Sequence, residues 1–260
     1  MKDLSKILAA SRDASSEGVK IIKKSLKSPI ESKKKSYKEW VTETDLKVEK
    51  KIMKVLLKHF PKSSFLAEES GSINNGDDSI MWIIDPIDGT NNFITRYPFF
   101  CISIAAYYKG NIICGTIEDP NNGEFFHAIK GKGSYLNNKR IFVSNEKKLE
   151  NSIFGTGFVM SEPKSVKKNL KNLLAIMDKT KSFRRSGSAA LDLAYTACGR
   201  QQGYWQLLPK PWDYAAGILL VEEANGKVTD MGGKIMNLDS KSILASNKIN
   251  HNKMLKLISP

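Results

Sequence analysis

The chain has 260 residues, 41% hydrophobic and 26% charged, enough to bury a large core as one compact unit or as two packed subdomains. Forty-one Lys and Arg against 27 Asp and Glu leave a net charge of +14, which suits a polyanion, an acidic membrane surface or phosphorylated metabolites. The lysines are dispersed, with one dense cluster at Lys33-Lys34-Lys35 and Lys38, so most of the excess reads as solvated surface charge.

Leu4, Ile7, Leu8, Val19, Ile22 and Leu26 fall near helical spacing, predicting an amphipathic helix over the first ~27 residues that ends before Pro29. Its charges leave no apolar core for a signal peptide, and no segment reaches the length of a membrane span. The Lys-rich segment from Ser28 to Glu39 reads as a mobile loop. A second helix follows Thr44, with Val48, Ile52, Val55, Leu56 and Phe60 on one face and Pro61 closing it. Phe65-Leu66-Ala67 is a short apolar run ending at Glu68-Glu69. Ser70 to Ser79 is a turn or loop, and Met81 to Ile84 a short buried strand.

Cys101 to Tyr108 and Asn111 to Glu118 read as a β-hairpin turning at Lys109-Gly110, with further strands at Gly123 to Ile129 and Arg140 to Val143. From Ser152 the pattern becomes strand, helix (about 162–178), strand (182–184), helix (188–199), strand (203–208) and helix (212–225). The expected organisation is an α+β half over residues 1–150 and an α/β half over 151–260, joined as one layered structure with a cleft between them. The three cysteines, Cys101, Cys114 and Cys198, are widely spaced without a C-x-x-C pair, so neither a disulfide framework nor a zinc knuckle is indicated. A reducing cytoplasm fits best. His59, His127 and His251 show no metal-ligand spacing and read as structural or surface residues.

Asp85-Pro86-Ile87-Asp88-Gly89-Thr90 carries the most chemistry. Pro86 removes a backbone donor at the end of the apolar run, so ladder pairing is expected to stop there, between two carboxylates. Gly89 permits unusual dihedrals, and Thr90 with Asn91-Asn92 can open a helix whose free amides attract an anion. Asp85 and Asp88, with the Ile87 carbonyl between them, suit a hard cation such as Mg²⁺. Taken singly, Glu68 also reads as a solvated loop acid, and Asp45 and Asp213 as helix-start acids.

Asp85 to Phe93 resembles the first signature of the inositol monophosphatase family, and Trp212-Asp213-Tyr214-Ala215-Ala216-Gly217 with Glu222-Glu223-Ala224 resembles the second. Thr42-Glu43-Thr44-Asp45, Ala67-Glu68-Glu69-Ser70 and the bacterial-like block Arg184 to Ala194 complete five motifs in order. The resemblance implies a layered α-β-α-β-α sandwich of the inositol monophosphatase/fructose-bisphosphatase type, dimeric, Mg²⁺-dependent and lithium-sensitive. It implies that Glu68, Asp85 and the Ile87 carbonyl hold a first metal, that Asp85, Asp88 and Asp213 hold a second, and that a third, weaker ion sits near Glu68. Asp45 and Thr90 correspond to the pair that positions and deprotonates the attacking water. Asp88, Gly89, Thr90, Gly187, Ser188, Ala189, Gln206 and Asp213 correspond to the substrate contacts. The expected reaction is hydrolysis of an inositol monophosphate or related sugar or polyol phosphate by a metal-activated water.

At position 206 the sequence departs from the family. Inositol phosphatases usually have Glu there, whereas Gln206 keeps one acceptor and gains a donor. Histidinol phosphate, fructose 1,6-bisphosphate and 3′-phosphoadenosine nucleotides are therefore alternative substrates with the same chemistry. A second class, an RNA- or transcription-associated binding protein, has the +14 charge as its only support.

Overall fold

The computed structural model of the chain describes residues 3–76 and 80–258. Helix α1 (Leu4–Ser25) opens where the Asp3 carboxylate accepts the amides of Ser5 and Lys6, and it buries Ile7, Ala10, Ala14 and Ile22. The expected loop over Ser28–Glu39 is instead most of a hairpin, β1 (Ser32–Ser36) and β2 (Glu39–Thr42). Its side chains are almost all exposed, so no apolar alternation marks it in the sequence. Backbone pairing, a left-handed Lys38 (φ 62°) at the turn and a Lys35–Glu69 ion pair of 2.9 Å hold it.

Helix α2 (Glu43–His59) begins with a reciprocal cap. The Thr42 hydroxyl accepts the amides of Thr44 and Asp45, and the Asp45 carboxylate accepts the Thr42 amide at 2.8 Å. Strands β3 (Ser64–Ala67), β4 (Gly71–Ile73) and β5 (Met81–Asp88) follow. The Ser70–Ser79 segment thus contains a short strand rather than loop alone, while its residues 77–79 lie outside the described residues.

Pairing does not stop at Pro86 on both sides of β5. Its ladder with β3 ends at Ile84, but the ladder with β6 (Cys101–Tyr108) resumes at Asp88 after an irregularity between Asp85 and Asp88. Three steps along β5 oppose two along β6, a bulge that absorbs the missing proline donor and re-aims both carboxylates. Helix α3 (Thr90–Thr95) comes between them. Strands β7 (Asn111–Asp119), β8 (Glu124–Ile129), β9 (Gly133–Leu136) and β10 (Lys139–Arg140) extend the sheet. The strand expected over Arg140–Val143 is confined to its first residue, because after the Ile141 amide bonds to Ser134 of β9 the chain turns away and Val143 donates to Ala224 instead.

The remaining elements are β11 (Ile153–Gly157), α4 (Pro163–Met177), β12 (Ser182–Arg184), α5 (Ala189–Ala197), β13 (Gly203–Leu207) and α6 (Pro211–Glu223). Strands β14 (Lys227–Thr229) and β15 (Ser242–Ser246) and helix α7 (His251–Leu257) close the chain. The eight-stranded sheet runs β10-β9-β8-β7-β6-β5-β3-β4 and the five-stranded sheet β12-β11-β13-β15-β14.

Five layers result. Helices α1 and α2 pack Ile7, Ile22, Val48 and Ile52 on Trp82, Ile84 and Ile102 of the larger sheet. Burying an aliphatic side chain such as Ile102 contributes about 1.5–3 kcal/mol. The opposite face of that sheet, through Ile83, Ala105 and Phe126, meets α5 and α6, which also cover Tyr204, Ile243 and Ala245 of the smaller sheet. Phe154, Trp205 and Leu244 on its far face pack against Ile176 of α4 and Met254 of α7. The architecture is α-β-α-β-α. Helix α6 is buried from Tyr214 to Val221 because it lies between two sheets. A Cβ on Gly115 of β7 would sit 2.8 Å from the Ala216 oxygen, so only glycine allows that approach.

His59 is a surface residue, and His127 and His251 are buried in structural contacts. His59 faces Asp13 at 3.3 Å, His127 stacks on Tyr135, and His251 is buried between the hydroxyls of Thr229 and Ser246. Among the described residues no helix is long and apolar enough to cross a membrane.

Candidate active site

The bulge at the end of β5 and the first turn of α6 bring Asp85, Asp88 and Asp213 together, with one carboxylate oxygen from each within 4.8 Å of the others. Asp85 is held by the Ile87 amide at 3.0 Å. Asp88 accepts the Ser188 hydroxyl at 2.5 Å and the Ala190 amide at 2.6 Å, both from the start of α5. Asp213 accepts the Lys210 amide at 2.8 Å. Glu68 joins from the turn after β3, hydrogen-bonded to Asp85.

This crowding is electrostatically costly without a cation. Burial, then the charges of Glu68, Asp88 and Asp213, push the Asp85 carboxyl well above its ordinary range. Burial and Asp213 raise Glu68, and burial and Asp88 raise Asp213, to about 8 and about 7. Asp88 is raised to about 6 by burial, opposed by the Ser188 and Ala190 bonds. An all-oxygen set of carboxylates fits a hard divalent cation such as Mg²⁺, whose charge offsets the mutual repulsion. The set contains no soft donor; the buried Cys101 thiol, raised by burial, is bonded to Ser188 at 3.6 Å.

Beside the cluster, the Thr90 hydroxyl lies 3.2 Å from Asp45 Oδ1 and 3.2 Å from the Ile87 carbonyl, and its single proton serves one of them at a time. Burial pushes Asp45 up to about 6 against the bonds from Thr42. Gly89 is left-handed (φ 100°), and a Cβ there would lie 3.1 Å from the Phe99 oxygen and 3.3 Å from the Gly187 oxygen. Asn92 ties the two loops by donating to Phe99 and Ser186 carbonyls at 2.7 and 2.8 Å.

A cavity of about 120 Å³ opens from Asp88 and Asp213 toward Gly187, Ser188, Ala189 and Gln206. All the residues expected to contact substrate in the second half of the chain thus line one cavity, although the Ser188 hydroxyl is committed to Asp88. Thr156, Phe158, Arg185, Asp192 and Tyr204 line it too and escaped the sequence reading. Tyr204 had a signal, since it precedes Gln206 by two and shares its face of β13. Asp192, buried and raised to about 8 by that burial, is bonded to the Ser186 hydroxyl. Two further residues position the acidic turn: Glu49 of α2 accepts the Glu69 amide at 2.9 Å, and Lys35 reaches the Glu68 carbonyl at 3.2 Å.

The model of the inositol monophosphatase family matches residues 3–260. The chain belongs to that family. Nus factor SuhB of Haemophilus influenzae is 39% identical over 231 residues, 89% of this chain and 86% of its own. Two solved members of the fold are similar throughout. The extragenic suppressor protein suhB of Bartonella henselae superposes with a TM-score of 0.92 at 36% identity, over 96% of this chain and 97% of that one. The inositol monophosphatase of Anabaena superposes with a TM-score of 0.89 at 35% identity, over 98% and 96%.

Proposed function

We propose that the chain is a Mg²⁺-dependent phosphomonoesterase acting on an inositol monophosphate or a related sugar or polyol phosphate. The observation that carries this reading is the Asp85–Asp88–Asp213 cluster, which opens on one cavity through Asp88 and Asp213 and has the Asp45–Thr90 pair beside it. Asp85, Asp88 and Asp213, with Glu68 and the Ile87 carbonyl, would hold two or three ions. Bound Mg²⁺ supplies charge neutralisation of the phosphoryl oxygens and acidification of water. Asp45 and Thr90 orient the attacking water, and Asp45 takes its proton. The Gly89 and Thr90 amides, at the left-handed turn into α3, donate to the phosphate. Gly187, Ser188, Ala189 and Gln206 wall the side where the alcohol sits. A homodimer belongs to the same proposal.

Tyr204 donates its hydroxyl proton to Gln206 Oε1, which occupies one of that oxygen's two lone pairs, and the amide presents a neutral NH₂ donor where a carboxylate would present a second, charged acceptor. A Glu at this position would satisfy Tyr204 and still accept from the substrate. Gln206→Glu is therefore expected to raise kcat/KM for inositol 1-phosphate about tenfold relative to substrates with fewer hydroxyls, the worth of one charged hydrogen bond. An unchanged ratio would show that residue 206 does not read the alcohol. The direct test of the whole reading is phosphate release from a panel of inositol, sugar, histidinol and nucleotide monophosphates with Mg²⁺; release from none rejects it.

Metal addition gives a second readout. Because folding raises Glu68, Asp88 and Asp213 to about 8, 6 and 7, the metal-free fold binds more protons than the unfolded chain. The contribution of these groups to stability is accordingly fully present below their unfolded pKa values of about 4, and it is lost as pH rises from there through the folded values of about 6 to 8. Mg²⁺ competes with these protons, so its increase in Tm is expected to be larger at pH 8 than at pH 6 (pH values about those limits). Thermal scans with Mg²⁺ and with EDTA check this, and equal or absent shifts contradict a metal at the cluster.

A further inference from the structure

We propose that the groove between α1 and α2 binds the phosphate backbone of a single-stranded nucleic acid. The groove has a volume of about 620 Å³ and is lined by Lys24, Lys47, Lys50, Lys51 and Lys54 around Ile21. The lysines of α2 recur at i, i+3, i+4 and i+7, one helical stripe about 10 Å long. Lys24 faces them from α1. Folding thus adds Lys24 of α1 to four lysines that already lie close together along α2.

Two of the five ammoniums are answered, Lys47 by Glu43 and Lys51 by Glu17, each at 2.8 Å. Those of Lys24, Lys50 and Lys54 have no ion-pair or hydrogen-bond partner among the described residues. Like charges at i, i+4, as in Lys47/Lys51 and Lys50/Lys54, cost helix stability, and burial does not demand them at these mostly exposed positions. A polyanion lying in the groove relieves that repulsion.

The shape and the neighbours favour a strand over a bilayer. A concave groove admits a strand, whereas a flat headgroup layer reaches only its rim. The β1–β2 hairpin runs directly into α2 and carries Tyr37 and Trp40, 59% and 41% exposed, with Lys34 opposite Trp40 in register. Exposed aromatics on the element that leads into a cationic helix suit a single strand, with phosphates on the charges and bases on the rings. Asp45 and Glu49 point from α2 into the interior, fully or almost fully buried, so the stripe is on the other side of the helix from the acid cluster. The proposal does not depend on the phosphatase reading.

Fluorescence anisotropy with a labelled single-stranded RNA of about 15 nucleotides tests it. Binding is expected at low salt, with a log–log salt slope of about −2 to −3, as three or four phosphate contacts give. The triple change Lys24→Glu, Lys50→Glu, Lys54→Glu is expected to weaken binding at least about tenfold and flatten the slope, with phosphate release unchanged. The same net charge change on α4 (Lys164→Glu, Lys167→Glu, Lys171→Glu) is expected to stay within about twofold. Should charge reversal unfold the chain, the corresponding Gln triple replaces it, with circular dichroism as the check. Absence of RNA binding, equal loss in both triples, or binding to phosphatidylglycerol vesicles without RNA binding each overturns the proposal.

Discussion

Asp213→Asn is expected to lower Mg²⁺-dependent phosphate release about a thousandfold while raising the Tm of the metal-free protein. The two effects have one origin. Asp213 is the only member of the cluster contributed by α6, and its charge sits among those of Asp85 and Asp88. Asn is isosteric and its Oδ1 can still accept the Lys210 amide, so the first turn of the helix keeps its bond. What disappears is a buried carboxyl that is charged in the metal-free protein above about pH 7, where the scan is run. In the metal-free protein that removes repulsion, and a relief of about 1 kcal/mol would appear as a gain of roughly 2–4 °C for a chain of this size. In the loaded protein it removes a ligand, and losing about 4 kcal/mol of transition-state charge stabilisation is about a factor of 10³ in rate. Calorimetry with EDTA and phosphate release with Mg²⁺ read the two sides separately. Retained turnover would remove Asp213 from the site; a lowered metal-free Tm would mean the residue is structural.

Asp45→Asn is expected to cost about 10²–10⁴ in kcat, the range for loss of a positioned general base. The substitution is conservative for the fold because the carbonyl of Asn can accept the Thr42 amide as Asp45 Oδ2 does. It is not conservative for chemistry, since an NH₂ then faces the Thr90 hydroxyl where an acceptor stood. The pH profile separates base loss from misplacement. With the Asp45 carboxyl raised to about 6, only the ionised form accepts a proton, so parent kcat/KM rises as pH passes upward through that value. In the Asn variant the residual rate is expected to lose this limb. A profile with the limb intact would assign the titration to another group and leave Asp45 as a cap of α2.

Much of the site was legible because it is local. Asp85, Ile87, Asp88, Gly89 and Thr90 fall within six residues, and a proline between two acids at the end of an apolar run announces a turn with carboxylates on it. Asp213 and Asp45 were legible only through the motif resemblance, since each alone is an ordinary helix-start acid. The residues that escaped act across the chain. Glu49 holds a turn 20 residues away, Lys35 reaches the same turn from a hairpin without apolar alternation, and Asp192 and Arg185 enter the cavity from the segment around the start of α5. No period along the sequence encodes such contacts. Helices α1 and α2 illustrate the same limit, since each pattern is visible separately but the lysine groove exists only once the two are paired.

The bonds that hold Asp88 span 100 and 102 residues, from the end of β5 to the start of α5. During synthesis the acids of β5 emerge long before Ser188, Ala190 and Asp213 exist. Until the later segments arrive, Asp88 lacks the Ser188 and Ala190 bonds and the three-acid cluster lacks Asp213. A cation site built from Asp85, Asp88 and Asp213 would therefore be complete only once the segments that open α5 and α6 have docked on β5.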